Sequence, residues 1–153
     1  YLRLDKTGAN DCVSNDSFVI GKSKRFKEGK DITLITTGSI LSEVNIASIE
    51  LKKLGIEARV IGMHNIKPID VEEITDAISN TGGIVSIEEH NKDGGLGSAI
   101  SEVCMDLGMM PDKFLRIGLD NKYSSIVGSQ QYLRHRYEID SKTIIKKIID
   151  LLE

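Results

Sequence analysis

The chain has 153 residues, which is enough for one domain with a buried core, and nothing in its length requires a second. Twenty lysines and arginines against 23 aspartates and glutamates give a net charge of −3 without an extended basic run, so nucleic acid is a poor candidate partner. Two distant cysteines outside any CxxC pair indicate a reduced, cytoplasmic protein, and no apolar stretch approaches the roughly 20 residues that cross a bilayer.

The first 17 residues are polar, rich in glycine, asparagine and aspartate, and show no hydrophobic period. The alternation at residues 1–4 is typical of a strand already under way. We therefore expect residues 1–17 to be the end of a preceding domain followed by a linker, and residues 18–153 to form the domain itself.

Four short β-rich runs follow, at residues 32–36, 58–63, 84–87 and 114–117. They are largely apolar without clean alternation, which is typical of strands covered on both faces. Residues 23–27 are separated from the first of these runs by a hairpin-like spacing. The pattern predicts one antiparallel edge strand beside four parallel strands.

Helical segments with apolar residues three and four apart lie between these strands. The expected start of the first helix is an N-cap at Ser39, and Asp70 with a glutamate three residues later predicts a capping box for the second. A third helix should end at Gly108, and a last one should begin at Asp140 or Ser141. The predicted fold is a three-layer α/β domain with a mostly parallel five-stranded sheet and helices on both faces.

Two loops at the predicted carboxyl ends of parallel strands combine glycines with hydroxyl groups. Their residues are Thr37, Gly38, Ser39, Gly94, Gly95 and Gly97. Glycines let backbone N–H groups approach an anion at a helix N-terminus, so these loops form a possible anion site. The spacing matches neither a Walker loop nor GxGxxG, and close packing of the helix start on the sheet is the favoured interpretation of the second loop. Capping of the following helix is the favoured role of Ser39.

Acidic and imidazole side chains follow the strand at residues 84–87. Glu88, Glu89 and His90 resemble an acid/base set, but neighbours on a strand point to opposite faces, so the two glutamates are not expected to share a site. No histidine pairs with another histidine or a cysteine at a metal-ligand spacing, and we expect no metal site. Arg3 is either a solvated terminal arginine or a guanidinium suited to binding phosphate.

Read in order, several stretches resemble the carboxyl-terminal domain of the transketolase family over about residues 20–153. They lie at residues 28–39, 54–60, 66–70, Ser86-Ile87-Glu88-Glu89-His90 and Gly94-Gly95-Leu96-Gly97-Ser98-Ala99. The corresponding domains of 1-deoxy-D-xylulose 5-phosphate synthase and of the β subunit of a 2-oxo acid dehydrogenase are also similar, and both remain alternatives.

The resemblance implies a thiamine-diphosphate enzyme of three α/β domains, which transfers a two-carbon ketol unit between phosphorylated sugars. In that family the first two domains hold the cofactor, its Mg²⁺ and the activating glutamate, so no catalytic residue is expected in this chain. The chain is then structural and dimer-forming, inactive alone, with the remaining domains or an N-terminal subunit as partners. Arg3 resembles the arginine that binds the substrate's terminal phosphate.

Two interpretations from other classes stay open beside the enzyme domain. One is a regulatory module that binds a nucleotide or another anion at the two glycine and hydroxyl loops. The other is a purely structural dimerisation domain.

Overall fold

The computed structural model describes residues 18–153, which form a single five-stranded sheet with helices on both faces. Arg3 and the expected preceding segment lie outside the described residues, so the boundary at residue 17 stays a prediction. The strands are β1 (Lys24–Lys27), β2 (Ile32–Thr37), β3 (Ala58–Gly62), β4 (Ile84–Asn91) and β5 (Phe114–Leu119). The helices are α1 (Leu41–Lys53), α2 (Val71–Asn80), α3 (Leu96–Leu107), α4 (Gln130–Arg136) and α5 (Ser141–Leu152).

The sheet has the strand order β1-β3-β2-β4-β5, and all pairs are parallel except β1 with β3. The predicted antiparallel edge strand is therefore confirmed, but it does not form a hairpin with β2. The connection crosses the start of β3 instead, since Asp31 N–H donates to Glu57 O at 3.1 Å and Glu57 N–H donates to the Asp31 carboxylate at 2.6 Å. Gly29 is required at this crossing because a Cβ there would lie 2.4 Å from the Ala58 carbonyl carbon.

Two apolar cores hold the three layers together. On one face, α1 and α5 pack on β2 and β3 through Leu34, Val44 and Ile144. On the other face, α2 and α3 pack through Ile74 and Ile100. Each such side chain is fully buried, which stabilises the fold by about 1.5–3 kcal/mol per residue relative to exposure.

The helix ends follow the sequence signals at three places. Asp70 caps α2 by accepting from Glu73 N–H at 3.3 Å, and Asp140 caps α5 by accepting from Thr143 N–H at 3.0 Å. Gly108 ends α3 with a left-handed φ of 63°.

Among the described helices, none combines the length and apolar character needed to span a membrane. The cytoplasmic location stays a prediction.

The order of the strands reverses beside β2. From β2 the chain runs through α1 on one face to β3, and from β3 it runs through α2 on the other face to β4. Crevices at such a reversal, at the carboxyl ends of parallel strands, are where open α/β sheets bind their ligands. The edge formed by the ends of β2 and β4 is therefore the first place to look for a site.

Candidate functional site

The two loops singled out by the sequence lie at this same edge of the sheet. Thr37 at the end of β2 is in register with Glu88 on β4. The loops then diverge, because Ile40 enters the core beneath α1 and Leu96 enters the core of the opposite face. The structure therefore does not bring the two loops together on one face.

Glu88 occupies the N-terminus of α3. The residue is 1% exposed, and its carboxylate accepts from Leu96 N–H at 2.7 Å and from Gly97 N–H at 2.9 Å. A Cβ on Gly95 would lie 2.0 Å from Glu88 Oε2, so glycine makes room for this carboxylate. A negative charge at a helix N-terminus is favourable. These amides thus already bind an internal anion, and an external anion at this loop stays a prediction.

The other glycines of this loop also have local roles. Gly94 N–H donates to Ser98 Oγ at 3.1 Å. A Cβ on Gly97 would lie 2.5 Å from Ser86 Oγ, so α3 starts in close contact with β4. This is the close packing that the sequence favoured over a phosphate cradle.

Glu89 points to the opposite face from Glu88, as the alternation of a strand predicts. It accepts from Arg134 Nη2 at 2.8 Å and from Arg134 Nε at 3.2 Å, a two-pronged contact with one guanidinium. The amide of Gln130 donates to the same carboxylate at 3.2 Å. Helix α4 is thereby tied to the end of β4.

Arg134 fills the crevice beside β2. Its side chain is 8% exposed, and besides Glu89 it contacts Ser39 Oγ at 3.1 Å and the Glu43 carboxylate at 3.7 Å. Two carboxylates around one buried guanidinium balance the cost of removing its charge from water. We therefore assign the centre of this site to Arg134, for which the sequence analysis gave no role.

The predicted N-cap role of Ser39 is wrong. Gly38–Ile40 form a 3₁₀ turn, α1 begins at Leu41, and its N-cap residue is Ile40. The Ser39 hydroxyl instead donates to Glu89 Oε2 at 3.2 Å and accepts from Arg134. The reason is that an ion pair offers this hydroxyl a charged partner at the sheet edge.

The histidines lie apart from this cluster. His90 is exposed and its Nδ1 is 3.0 Å from the backbone oxygen of Asn91. His135 Nδ1 lies 2.8 Å from the Asp140 carboxylate. Burial raises the pKa of Asp140, but hydrogen bonds from Thr143 and His135 outweigh the effect of burial. The pKa of Asp140 therefore lies below its usual range. Within residues 18–153, no three acidic, histidine or cysteine side chains are grouped to hold a metal ion.

A mostly polar segment without regular structure, residues 120–129, connects β5 to α4. Tyr123 is 104% exposed and Val127 is 94% exposed, so both side chains lie in solvent in this chain. The segment is attached to the domain through a hydrogen bond from the Tyr137 hydroxyl to Ser124 and through the Ser129 cap of α4. The segment therefore presents two exposed apolar side chains from an anchored backbone.

Comparisons with known proteins agree on one family. The family model described as "Transketolase, C-terminal domain" matches residues 21–144. One subunit of the apulose-4-phosphate transketolase of Phocaeicola vulgatus is 32% identical over 155 residues, covering 100% of this chain and 48% of that protein. The 1-deoxy-D-xylulose-5-phosphate synthase of Desulfitobacterium hafniense is 35% identical over 127 residues, covering 83% of this chain and 20% of that protein.

A solved structure agrees with the sequence relatives. It is described as "Split gene transketolase, inactive beta4 tetramer" and has a TM-score of 0.87 at 30% identity. The match covers 96% of this chain and 48% of that chain. The chain thus spans about half the length of the transketolase subunits that it matches.

Proposed function

Because the chain belongs to the transketolase C-terminal domain family, we propose that it is the last domain of a thiamine-diphosphate-dependent transketolase. The complete enzyme transfers a two-carbon ketol unit between phosphorylated sugars. The described residues do not fit the cofactor, since they offer no cluster of ligands for its Mg²⁺. We therefore derive no catalytic step from them and place the cofactor in the rest of the enzyme.

The role of this domain in the enzyme is to hold the other domains or subunits together. The observation that carries this proposal is the internal pairing of the sheet edge, where Arg134 fills the crevice and Glu88 occupies the amides of α3. A group that is already paired is a poor ligand for a substrate. The segment at residues 120–129, with exposed Tyr123 and Val127, remains as the surface for the other domains, for an N-terminal subunit, or for the second copy in a homodimer.

Split transketolases support this division of labour. The match to the apulose-4-phosphate transketolase covers the whole chain, whereas the deoxyxylulose phosphate synthase match omits about a sixth of it. That difference favours transketolase over the synthase. The solved β4 tetramer is described as inactive, and an enzyme whose cofactor site requires a second kind of chain would behave in this way.

Arg3 completes the proposal, although it lies outside the described residues. We assign it to the terminal phosphate of the sugar substrate, where a planar guanidinium can bind two phosphate oxygens at once. This role depends on the first 17 residues being the end of the preceding domain.

Reconstitution tests the activity. The complete protein is mixed with its N-terminal subunit, where that is separate, together with thiamine diphosphate and Mg²⁺. Ketol transfer from a ketose phosphate to an aldose phosphate is the expected result. Formation of 1-deoxy-D-xylulose 5-phosphate instead would identify the synthase, and absence of both products would contradict the proposal.

A double substitution tests the assembly surface. Tyr123→Asp with Val127→Asp places two charges on the exposed segment and should lower the mass of the assembled enzyme in light scattering. Met110→Asp is a control at another exposed apolar residue, because Met110 is 63% exposed and lies before the start of β5, whereas the segment follows the end of that strand. Equal masses for both variants would show that the segment is not an interface.

A further inference from the structure

A cavity of about 410 Å³ lies between the end of β5 and the end of α4. Its charged lining residues are Asp120 and Lys122, which follow β5, and Arg136 and Glu138, at the end of α4. The exposed apolar residues of the proposed assembly surface do not line it. The volume falls within the range of about 300–1,000 Å³ that is typical of small-molecule sites.

The two carboxylates of this cavity are neutralised by lysines outside its lining. Asp120 pairs with Lys92 at 2.7 Å, and Glu138 pairs with Lys147 at 3.6 Å. The contact with Lys92, with smaller contributions from Lys122 and Lys147, holds the pKa of Asp120 below its usual range, so this group is ionised at neutral pH. Each carboxylate still has oxygen lone pairs that can accept hydrogen bonds from hydroxyl groups.

The two cations of the cavity have no such partners. Lys122 and Arg136 are exposed, and neither forms an ion pair or a side-chain hydrogen bond with another described residue. The unbalanced charge of the lining is therefore positive, although the whole chain carries −3. An ammonium and a guanidinium that line one cavity suit a ligand with two negative charges, and the planar guanidinium can bind two phosphate oxygens at once.

The backbone at the end of α4 supports a binding role. Glu138 has a left-handed φ of 56°, and among the described residues no other residue except glycine has a positive φ. This conformation ends α4, since Glu138 N–H donates to His135 O at 3.2 Å and Ile139 N–H donates to Arg134 O at 2.9 Å. Glycine is preferred at such a position because a side chain there costs stability. Strained residues of this kind cluster at binding sites.

We propose that this cavity binds a small phosphomonoester whose other end carries hydroxyl groups. The phosphate lies between Lys122 and Arg136, and the hydroxyls donate to the carboxylates of Asp120 and Glu138. The ligand breaks no contact of the two cations, because neither has a side-chain partner among the described residues. The proposal is independent of ketol transfer, and either can fail without the other.

Isothermal titration calorimetry of the complete protein tests the site with glucitol 6-phosphate, which has no carbonyl group and cannot undergo ketol transfer. The buffer is free of phosphate and at about pH 7.5, where a phosphate monoester is doubly charged. A Kd of about 0.1–1 mM is expected for a ligand of about 16 non-hydrogen atoms. No saturable binding up to about 20 mM, roughly twentyfold above that range, overturns the proposal.

Two further ligands separate the phosphate contact from the hydroxyl contacts. Inorganic phosphate lacks the hydroxyl chain and should bind about five- to tenfold more weakly than glucitol 6-phosphate. Glucitol lacks the charge and should bind at least about tenfold more weakly. The assignment is overturned if either ligand binds as tightly as glucitol 6-phosphate.

Matched variants place the phosphate in the cavity. Lys122→Met and Arg136→Met should each weaken the binding of glucitol 6-phosphate by about three- to tenfold, because both contacts lie near solvent. Lys142→Met removes a charge from an exposed residue outside the lining and should leave the affinity unchanged. Arg3→Ala should also leave it unchanged; a loss in that variant with none in the two cavity variants would place the ligand at the substrate site and overturn the proposal.

Glu138→Gly tests the hydroxyl contact. The variant should fold, because glycine favours the left-handed φ at this position. It should weaken the binding of glucitol 6-phosphate by about three- to tenfold without weakening that of inorganic phosphate. Unchanged affinity for glucitol 6-phosphate would refute the assignment of Glu138 to the hydroxyl end of the ligand.

Discussion

Replacing Glu88 by glutamine tests whether this carboxylate holds the start of α3. In the native chain its two oxygens accept from two helix amides, at 2.7 and 2.9 Å. Glutamine has the same shape but offers one acceptor and one donor, so one helix N–H would face an NH₂ group. The variant loses a charged hydrogen bond and the favourable interaction of a negative charge with the helix N-terminus.

The expected loss can be worked from these two contributions. A hydrogen bond to a charged group contributes about 1.5–3 kcal/mol, and a charge at a helix N-terminus about 0.3–1 kcal/mol. We expect Glu88→Gln to lower the free energy of unfolding by about 2–4 kcal/mol. In a domain of this size that corresponds to a fall in Tm of roughly 4–16 °C.

Urea and thermal unfolding of the purified protein, followed by circular dichroism, measure this loss. Glu102→Gln is the matched control, because Glu102 is an exposed residue of the same helix and loses the same charge. The control should change the free energy of unfolding by about 0.5 kcal/mol or less. Equal effects of the two substitutions would refute the assignment of Glu88 as the internal anion of α3.

Three further predictions concern other charged groups. Arg134→Met leaves two carboxylates without their cation and should lower the free energy of unfolding, measured in urea, by about 2–4 kcal/mol. Arg136→Met, at an exposed residue of the same helix, should not. Equal stabilities of the two variants would exclude a structural ion pair. Burial raises the pKa of Asp70, but hydrogen bonds from Ser23 and from a backbone amide of α2 outweigh the effect of burial and lower that pKa. The ionised Asp70 therefore stabilises the fold fully above about pH 4, and this contribution is lost as the pH falls further. In the Asp70→Asn variant, the free energy of unfolding should therefore fall less steeply as the pH is lowered. An unchanged slope below pH 4, which is about the ordinary carboxyl pKa, would contradict this. Arg3→Ala in the complete enzyme should raise KM for phosphorylated substrates by about ten- to a hundredfold and spare unphosphorylated ones; equal losses would point to misfolding instead.

Much of the fold follows from local sequence signals. Short apolar runs predict the four parallel strands because both faces of those strands are covered, and Asp70 and Gly108 mark helix ends by chemistry within one turn. The partner of β1 could not be predicted in this way. It depends on the crossing at Gly29, where backbone meets backbone from a distant part of the chain.

The candidate site was predictable only in part. The alternation of a strand correctly separates Glu88 from Glu89. The role of Arg134 could not be inferred, because its partners lie 45 and 95 residues away in the sequence and the helix that carries it is only seven residues long. Ser39 was misassigned for the same reason: local chemistry favours a cap, and the distant guanidinium offers a stronger partner.

At the edge formed by the ends of β2 and β4, Glu88 is paired with the amides of α3 and Arg134 is paired with Glu89. These pairs are a physical argument against a ligand site at that edge. An anion at the start of α3 would have to displace Glu88 and leave a buried carboxylate without its two donors. A ligand in the crevice would have to separate Arg134 from Glu89, at a cost of several kcal/mol if either charge stayed buried.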